Sequence, residues 1–406
     1  MKKRNFVICG PAKLANSYSY FYTIMLIQIL NGRILTPQGW IRGGSVIIDG
    51  NKIIEVSNNE LHIESARFFD AKGCYIVPGG VDIHVHGGGG SDFMEGTEQA
   101  FRTAINAHMY YGTTSILPTL SSSTVPMIME AVKVTEKLMA QPDSPILGLH
   151  LEGPYFSREM AGAQMLENIK NPDSTEYKYI LDSTRCIKRW DEAPELPGTV
   201  EFGRTCVEHG TLPCLAHTQA NYNDVRTAYE VGFTHATHFY NAMPGFHKSH
   251  EFKYEGTVES VYLIDDMTVE IIADGKHVPP TILDLVYKIK GPDRTALISD
   301  ALACAASDSD KAFDPRVIIE DGVCKLGRPL GHCRKHCHHG QADTHNGKKG
   351  GDTFRRRMPH GLGDARQDYR RGQAEGNARK RKGRRHNDVR PRPEPEMRNS
   401  HGAHHT

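Results

Sequence analysis

Six side chains with the chemistry of metal ligands and proton carriers recur at one kind of place in this sequence. In Asp82-Ile83-His84-Val85-His86-Gly87 two imidazoles stand two residues apart, a spacing that turns both to the same side of an extended chain. Glu152 closes the apolar run of His150-Leu151-Glu152-Gly153-Pro154. His217 follows Leu215-Ala216, His238 follows Ala236-Thr237, and Asp300 follows Ile298-Ser299. Each alone has a dull explanation, since a single His beside an apolar strand is more often a hydrogen-bonded core residue than a ligand. Together they form a nitrogen and oxygen donor set suited to Zn²⁺ or Fe²⁺ with one coordination position left open. Gly87 to Gly90 then lets backbone approach a ligand closely, as would a plain flexible loop.

Such a set works only if distant segments end at one rim, and the pattern after Pro78-Gly79-Gly80 supplies that geometry. Eight strands are expected at Val81–Val85, Ser115–Pro118, Ile146–Leu151, Ile187–Glu195, Leu212–Ala216, Thr234–Thr237, Met267–Ile272 and Thr295–Ser299. Helical segments alternate with them, among them Thr97–Tyr111, Val125–Met139 and Pro280–Ile289. Eight such units favour an α/β fold of the (β/α)8 TIM-type barrel over an open doubly wound sheet, and no Gly-x-Gly-x-x-Gly joins a strand to a helix. Barrel enzymes place catalytic groups at the C-terminal ends of their strands, where all six residues fall. Residues 25–78 read as the N-terminal part of a small β-sandwich domain, with Ser45-Val46-Ile47-Ile48 and Lys52-Ile53-Ile54-Glu55-Val56 joined at Asp49-Gly50. Residues 79–326 are the barrel. Residues 1–24 have no period and read as a disordered extension, with Met25 as the functional start.

The overall charge of +1 conceals a split. From Gly327 to Thr406 there are 20 Lys and Arg against 8 Asp and Glu, a balance of +12, so residues 1–326 carry −11. That tail, residues 327–406, has no Ile and one Val, Val389, which cannot supply a core. The bland reading is a disordered basic tail. The sharper one is translation out of frame: permitted codons for Gly327 through Gly340, shifted by one base, encode a small-residue, apolar stretch suited to a packed helix. On either reading the fold is incomplete at the C-terminus. Nine cysteines, odd in number and mostly far apart, argue against a disulfide framework and for the cytoplasm. No apolar run approaches the roughly 18 residues of a membrane span, and the basic residues 2–4 precede too short an apolar stretch for a signal peptide.

The motifs Pro78-Gly79-Gly80-Val81-Asp82-Ile83-His84-Val85-His86-Gly87, His150-Leu151-Glu152-Gly153-Pro154, Ala161-Gly162-Ala163, Ala236-Thr237-His238 with Asn241-Ala242-Met243, and Asp274-Gly275-Lys276-His277-Val278 are very specific in combination. Over Met25 to Leu326 the chain resembles the amidohydrolase superfamily, and within it the N-acetylglucosamine-6-phosphate deacetylase family. That resemblance implies hydrolysis of the acetamide of a phosphorylated amino sugar, with one or two divalent ions, Zn or Fe. Glu152, His217 and His238 would hold the principal metal, and His84 and His86 would complete a second position bridged by Glu152. Asp300 would serve as general base and then general acid. His277 would stabilise the oxyanion or hold the sugar, and Ala163 with the Asn241-Ala242 backbone would line the sugar-phosphate site. Many relatives bridge two metals with a carboxylated Lys on the fourth strand; Ile187-Lys188-Arg189-Trp190-Asp191-Glu192 does not obviously supply it.

Two departures stand out. Where the family has an Arg that grips the phosphate, commonly from a second subunit, this chain has His250, with Lys248 and Lys253 as substitutes; a homodimer is compatible with the resemblance. The tail carries neither the last barrel helix nor the returning strands of the small domain, so the chain as written is expected to fold poorly or to have little activity. The alternatives are another amidohydrolase deacylase, acting on an N-acyl amino acid or a different N-acetyl amino sugar, and an inactive remnant whose basic tail, with Arg379-Lys380-Arg381-Lys382, binds nucleic acid. Nucleic acid is not the expected partner, because only Phe354 and Tyr369 offer aromatic rings there. Cys333, His336, Cys337, His338 and His339 match no two-knuckle zinc pattern.

Overall fold

The computed structural model describes residues 6–8, 26–61, 63–307, 316–320, 323–326 and 342–343. Eight parallel strands follow one another around a barrel: β1 (Gly80–Val85), β2 (Thr113–Leu120), β3 (Leu149–Tyr155), β4 (Ile187–Glu192), β5 (Leu212–Leu215), β6 (His235–Ala236), β7 (Thr268–Ile272) and β8 (Thr295–Ile298). Each pairs with the next in sequence. The ring closes just past β8, where the Asp300 N–H donates to His84 O at 3.0 Å and Ser299 Oγ donates to Asp82 Oδ2 at 2.5 Å. All eight strands expected from the sequence are present, shifted by a few residues at their ends.

Among the described residues seven α-helices wrap the strands: α1 (Glu98–Tyr110), α2 (Val125–Met139), α3 (Ser174–Ser183), α4 (Thr199–Glu208), α5 (Tyr222–Glu230), α6 (Thr257–Leu263) and α7 (Pro280–Lys290). Local chemistry starts several of them. The Thr97 side chain accepts from the Ala100 N–H at 3.2 Å, Asp173 accepts from Thr175 and Glu176, and Asn221 with Asp224 forms a capping box. Between the strands and the helices lies one apolar core. Outward-facing Leu149, Leu151, Trp190, Leu215, Ala236, Val269 and Ile271 pack there against helix residues such as Phe101, Ile128, Ile180, Phe202 and Val286.

Among the described residues no helix follows β8, and the covering layer stops there. Ile271 of β7 is 5% exposed, whereas its register partner Leu297 on β8 is 64% exposed and Val81 on β1 is 54% exposed. Leu285 and Ile289, one turn apart on α7, are exposed as well. An apolar strip beside β8 is what the absence of a legible closing helix in the sequence leads one to expect.

The small domain is two four-stranded sheets. One runs Phe6–Ile8, Tyr75–Pro78, Arg33–Thr36, Gly39–Arg42; the other runs Lys52–Ser57, Ser45–Asp49, Ile27–Leu30, Arg67–Asp70. Ile29, Ile34, Val46, Ala71 and Ile76 form its core. Phe6–Ile8, inside the segment read as an extension, pairs antiparallel with Tyr75–Pro78. Met25 lies outside the described residues. So does the tail from residue 327, apart from the strand Ala342–Asp343, which pairs with Val323–Leu326.

Glu192, at the end of β4, is a carboxyl inside the helix layer. Thr199 Oγ1 donates to its Oε1 at 3.1 Å, while Oε2 has no hydrogen-bond partner. Burial pushes its pKa well above the ordinary carboxylate value. Stability is then complete below about pH 4.3, where a Glu in the unfolded chain is also protonated, and declines as pH rises toward the folded value. Glu192→Gln is therefore expected to melt close to wild type at pH 4 and several degrees higher at pH 8. Thermal melts that show no difference at pH 8 would contradict the assignment of a neutral carboxyl.

Candidate metal centre

The barrel interior inverts the usual distribution of polarity. Outward positions of the strands are mostly apolar, with Lys188 and Glu192 on β4 as exceptions, while inward positions carry Asp82, His84, His150, Glu152, Arg189, Asp191 and Glu270, all buried. At the C-terminal rim five of these strands deliver the six residues singled out above. Glu152 is at their centre. Its Oε1 lies 3.0 Å from His217 Nε2 and 3.1 Å from His238 Nε2, and its Oε2 lies 3.2 Å from His86 Nε2. His84 Nε2 is 3.8 Å from Glu152 Oε1 and 3.3 Å from His86 Nε2. Asp300 Oδ1 stands 3.4 Å from His84 Nε2 and 3.3 Å from His86 Nε2.

Three of these side chains sit on strained backbone. His217, His238 and Asp300 have φ of +46°, +28° and +46°, in the left-handed region that non-glycine residues rarely occupy. Such conformations persist where the surroundings over-determine them, and they cluster at functional sites. On two of the rings at the centre, His217 and His84, a hydrogen bond on the far side fixes the tautomer. His217 Nδ1 donates to Met160 O at 2.8 Å, and His84 Nδ1 donates to Glu270 Oε1 at 2.7 Å. A carbonyl and a carboxylate only accept, so both Nε2 atoms turn lone pairs toward the centre. His217 Nε2 and His238 Nε2 are 3.1 Å apart.

Lone pairs brought this close call for a shared positive charge. For bonds of about 2.1 Å, two ligands on one ion lie about 3.0–3.4 Å apart, the spacing found among Glu152, His217 and His238. Glu152, His217 and His238 meet this condition throughout; His84, His86 and Glu152 form a looser buried group, with His84 Nε2 3.8 Å from Glu152 Oε1, and His84, His150 and Asp191 form a third beneath the rim. The charge balance agrees. Burial opposes ionisation of Glu152, yet the imidazoles of His217, His238 and His86 hold it well below the usual carboxylate range. Burial likewise opposes charge on His238, but Glu152 and Asp300 lift it to about 9. Asp300 is held low against its burial by His84 and His86. The residues present fit a divalent cation.

The remaining expected residues divide. Asn241 lies beyond β6, with its Nδ2 donating to His238 O at 3.1 Å, and Ala242 O accepts from the Thr218 N–H at 3.1 Å, which ties this loop to the metal rim. Ala163 is two residues after Ala161 on the loop that carries Met160, and its carbonyl accepts from Arg316 at 3.0 Å. A Cβ on neighbouring Gly162 would meet His217 Cε1 at 3.3 Å, so this loop packs against a donor. His277, after β7, is oriented by Asp274, whose Oδ2 lies 2.8 Å from its Nδ1. His250 is not brought to the centre by this chain. It occupies the exposed tip of the hairpin His247–Ser249 and Phe252–Tyr254, its Nδ1 3.2 Å from Ser249 Oγ. Lys188 is exposed and donates to Arg185 O, so β4 puts no lysine at the centre.

Sequence reasoning missed the supporting residues. Gln164 Nε2 donates to Glu152 Oε2 at 2.6 Å while its Oε1 accepts from the Ser122 N–H at 2.7 Å. Arg189, Asp191, His150 and Glu270 fill the barrel beneath the rim. The available signal was a charged residue inside an apolar strand, as in Val269-Glu270-Ile271, which reads the same way for a barrel interior and an exposed edge.

Residues 75–324 match the model of the amidohydrolase family, and the chain belongs to that family of metal-dependent hydrolases. Within it the chain groups with N-acetylglucosamine-6-phosphate deacetylases. It is 30% identical to the Bacillus subtilis (strain 168) protein of that name over 301 residues, 72% of each chain. Among solved structures it resembles the Pasteurella multocida deacetylase, with TM-score 0.70 and 30% identity over 74% of this chain and 79% of that one. A Mycobacterium smegmatis deacetylase variant in complex with N-acetyl-D-glucosamine-6-phosphate matches with TM-score 0.68 and 27% identity, over 76% of this chain and 79% of that one.

Proposed function

We propose that this chain hydrolyses the acetamide of N-acetylglucosamine 6-phosphate, giving glucosamine 6-phosphate and acetate. The observation that carries the reading is one carboxylate, Glu152, shared by two groups of imidazoles with Asp300 alongside. Glu152, His217 and His238 would hold a first divalent cation, and His84 and His86 with Glu152 would hold a second, Zn or Fe. When bound, such a cation polarises the amide carbonyl and lowers the pKa of water toward about 7. Asp300 takes the proton of the attacking water and returns it to the departing amine nitrogen. His277, fixed by Asp274, bonds the acetamide oxygen as it gains charge, or the sugar. Ala163, Asn241 and Ala242 line the sugar-phosphate cleft.

His250, with Lys248 and Lys253 on the same hairpin, is the phosphate contact in this reading. It acts from a homodimer partner, a view supported by Phe246, Phe252 and Tyr254 exposed on that hairpin. The setting is the cytoplasm. Cys206 and Cys214 are buried thiols whose pKa values burial pushes well up, as suits inert residues in a reducing compartment, and among the described residues no helix is long and apolar enough to cross a membrane.

Acetate release from four substrates tests the reading: N-acetylglucosamine 6-phosphate, N-acetylgalactosamine 6-phosphate, N-acetylglucosamine and an N-acetyl amino acid. The first is expected to be turned over fastest. Loss of the phosphate is expected to lower kcat/KM by about 10–100-fold, the worth of one or two hydrogen bonds to a charged group. Preference for the N-acetyl amino acid would replace the proposal with the deacylase alternative.

A further inference from the structure

Beneath the rim, a buried ion pair is wired to the donor set. Glu270, in the middle of β7, and Arg189, on β4, pair through Glu270 Oε2 and Arg189 Nη1. Arg189 Nη2 also donates to Thr237 Oγ1 at 2.7 Å, to Glu270 Oε1 at 3.2 Å and to Asp191 Oδ1 at 3.3 Å. Glu270 Oε1 accepts from His84 Nδ1 at 2.7 Å and from the His238 N–H at 3.3 Å. Its Oε2 lies 3.3 Å from His235 Nε2. Behind His84 the ring of His150 packs edge-on at 4.7 Å, and His150 Nε2 is 3.0 Å from Asp191 Oδ2.

Burying this many charges costs several kcal/mol per ion, and an apolar filling of the same volume would be as stable or more so. A role in stability alone therefore does not account for the pair. Its contacts do: one oxygen of Glu270 reaches both a ring of the second donor group and the strained backbone of His238 in the first.

We propose that Glu270, clamped by Arg189, is the positioning residue for His84, and that the second cation position depends on this pair. The inference rests on the metal-dependent reading above. Because a carboxylate has no proton to give, His84 Nδ1 carries the hydrogen and Nε2 keeps its lone pair toward Glu152 and Asp300. Because Arg189 grips the carboxylate from the other side, Oε1 cannot swing away from His84. Asp191, His150 and Thr237 hold the clamp in place.

Co²⁺ titration of the metal-free full-length protein, followed by visible absorption and by ion content per chain, tests this in wild type, Glu270→Gln and the double variant Arg189→Met/Glu270→Leu. The double variant removes both charges of the pair and leaves buried Asp191 with His150 Nε2 at 3.0 Å as its remaining partner, and it offers His84 no acceptor. Wild type is expected to bind two equivalents. Both variants are expected to keep one, on Glu152, His217 and His238, and to bind the other about 10–100-fold more weakly, the usual worth of a carboxylate behind a metal-bound imidazole. If Glu270→Gln does not fold, the double variant decides alone. Two wild-type-like equivalents in a folded double variant would reduce the pair to a structural element. A single equivalent in wild type would overturn this inference and leave the deacetylase reading standing, whereas no equivalent at all would remove the reading too.

Discussion

Glu152→Gln is expected to abolish loading of the centre and, with it, acetate release. The change keeps the shape of the side chain and replaces an anionic oxygen pair with an amide. Glu152 supplies a donor to both groups, with one oxygen on His217 and His238 and the other on His86. A partner one shell further out is worth about 10–100-fold in metal affinity, so losing a shared ligand costs at least about 10²-fold at each position and about 10⁴-fold for the doubly loaded form. The amide would also place an N–H₂ where imidazole lone pairs converge, while Gln164 Nε2 already donates to the opposite oxygen. Ion content after dialysis, measured beside turnover, checks this. A variant with wild-type metal content and rate would remove Glu152 from the centre.

Much of the barrel was legible because its strands alternate apolar outward positions with positions aimed at the lumen, and because strand and helix patterns repeat in strict order. The six rim residues were legible for a second reason: each directly follows an apolar run, so any barrel built from those runs brings them to one end. What lay below the rim was not. Lys188 and Arg189 are neighbours of like charge, yet one is exposed and the other buried. Only the strand's orientation decides which, and closure of the sheet sets that orientation. Glu270 was hidden likewise, since a lone acid between Val269 and Ile271 announces a buried ion only once Arg189 is known to face it from three strands away. His250 shows the opposite limit. Its place in the chain suggests the phosphate, but its position at an exposed hairpin tip leaves that contact to another chain.

The apolar strip at Val81, Leu285, Ile289 and Leu297 marks where the pattern of seven covered strands fails, and it bears on stability rather than on the rim chemistry. The metal-facing side chains are held from inside the barrel by Glu270 and from the rim loops by Met160, Gln164 and Ser121. Weak packing around β8 nevertheless reaches Asp300, which lies two residues past the end of that strand and is tied to β1 by the bond from its N–H to His84 O.

Asp300→Asn isolates the proton-transfer role from the role of the cations. The amide is isosteric and can still face His84 and His86, but it cannot accept a proton from water and hand it to a leaving amine. General acid–base catalysis by a placed side chain contributes about 10²–10⁴-fold, so kcat is expected to fall by about 10³-fold. KM for the sugar phosphate should change little, because Ala163, Asn241, Ala242 and His277 are untouched, and ion content should stay at the wild-type level. An equal loss in kcat and in bound metal would recast Asp300 as a ligand. Retention of more than about a tenth of the wild-type kcat would place the proton shuttle on another group, with His277 the next to test.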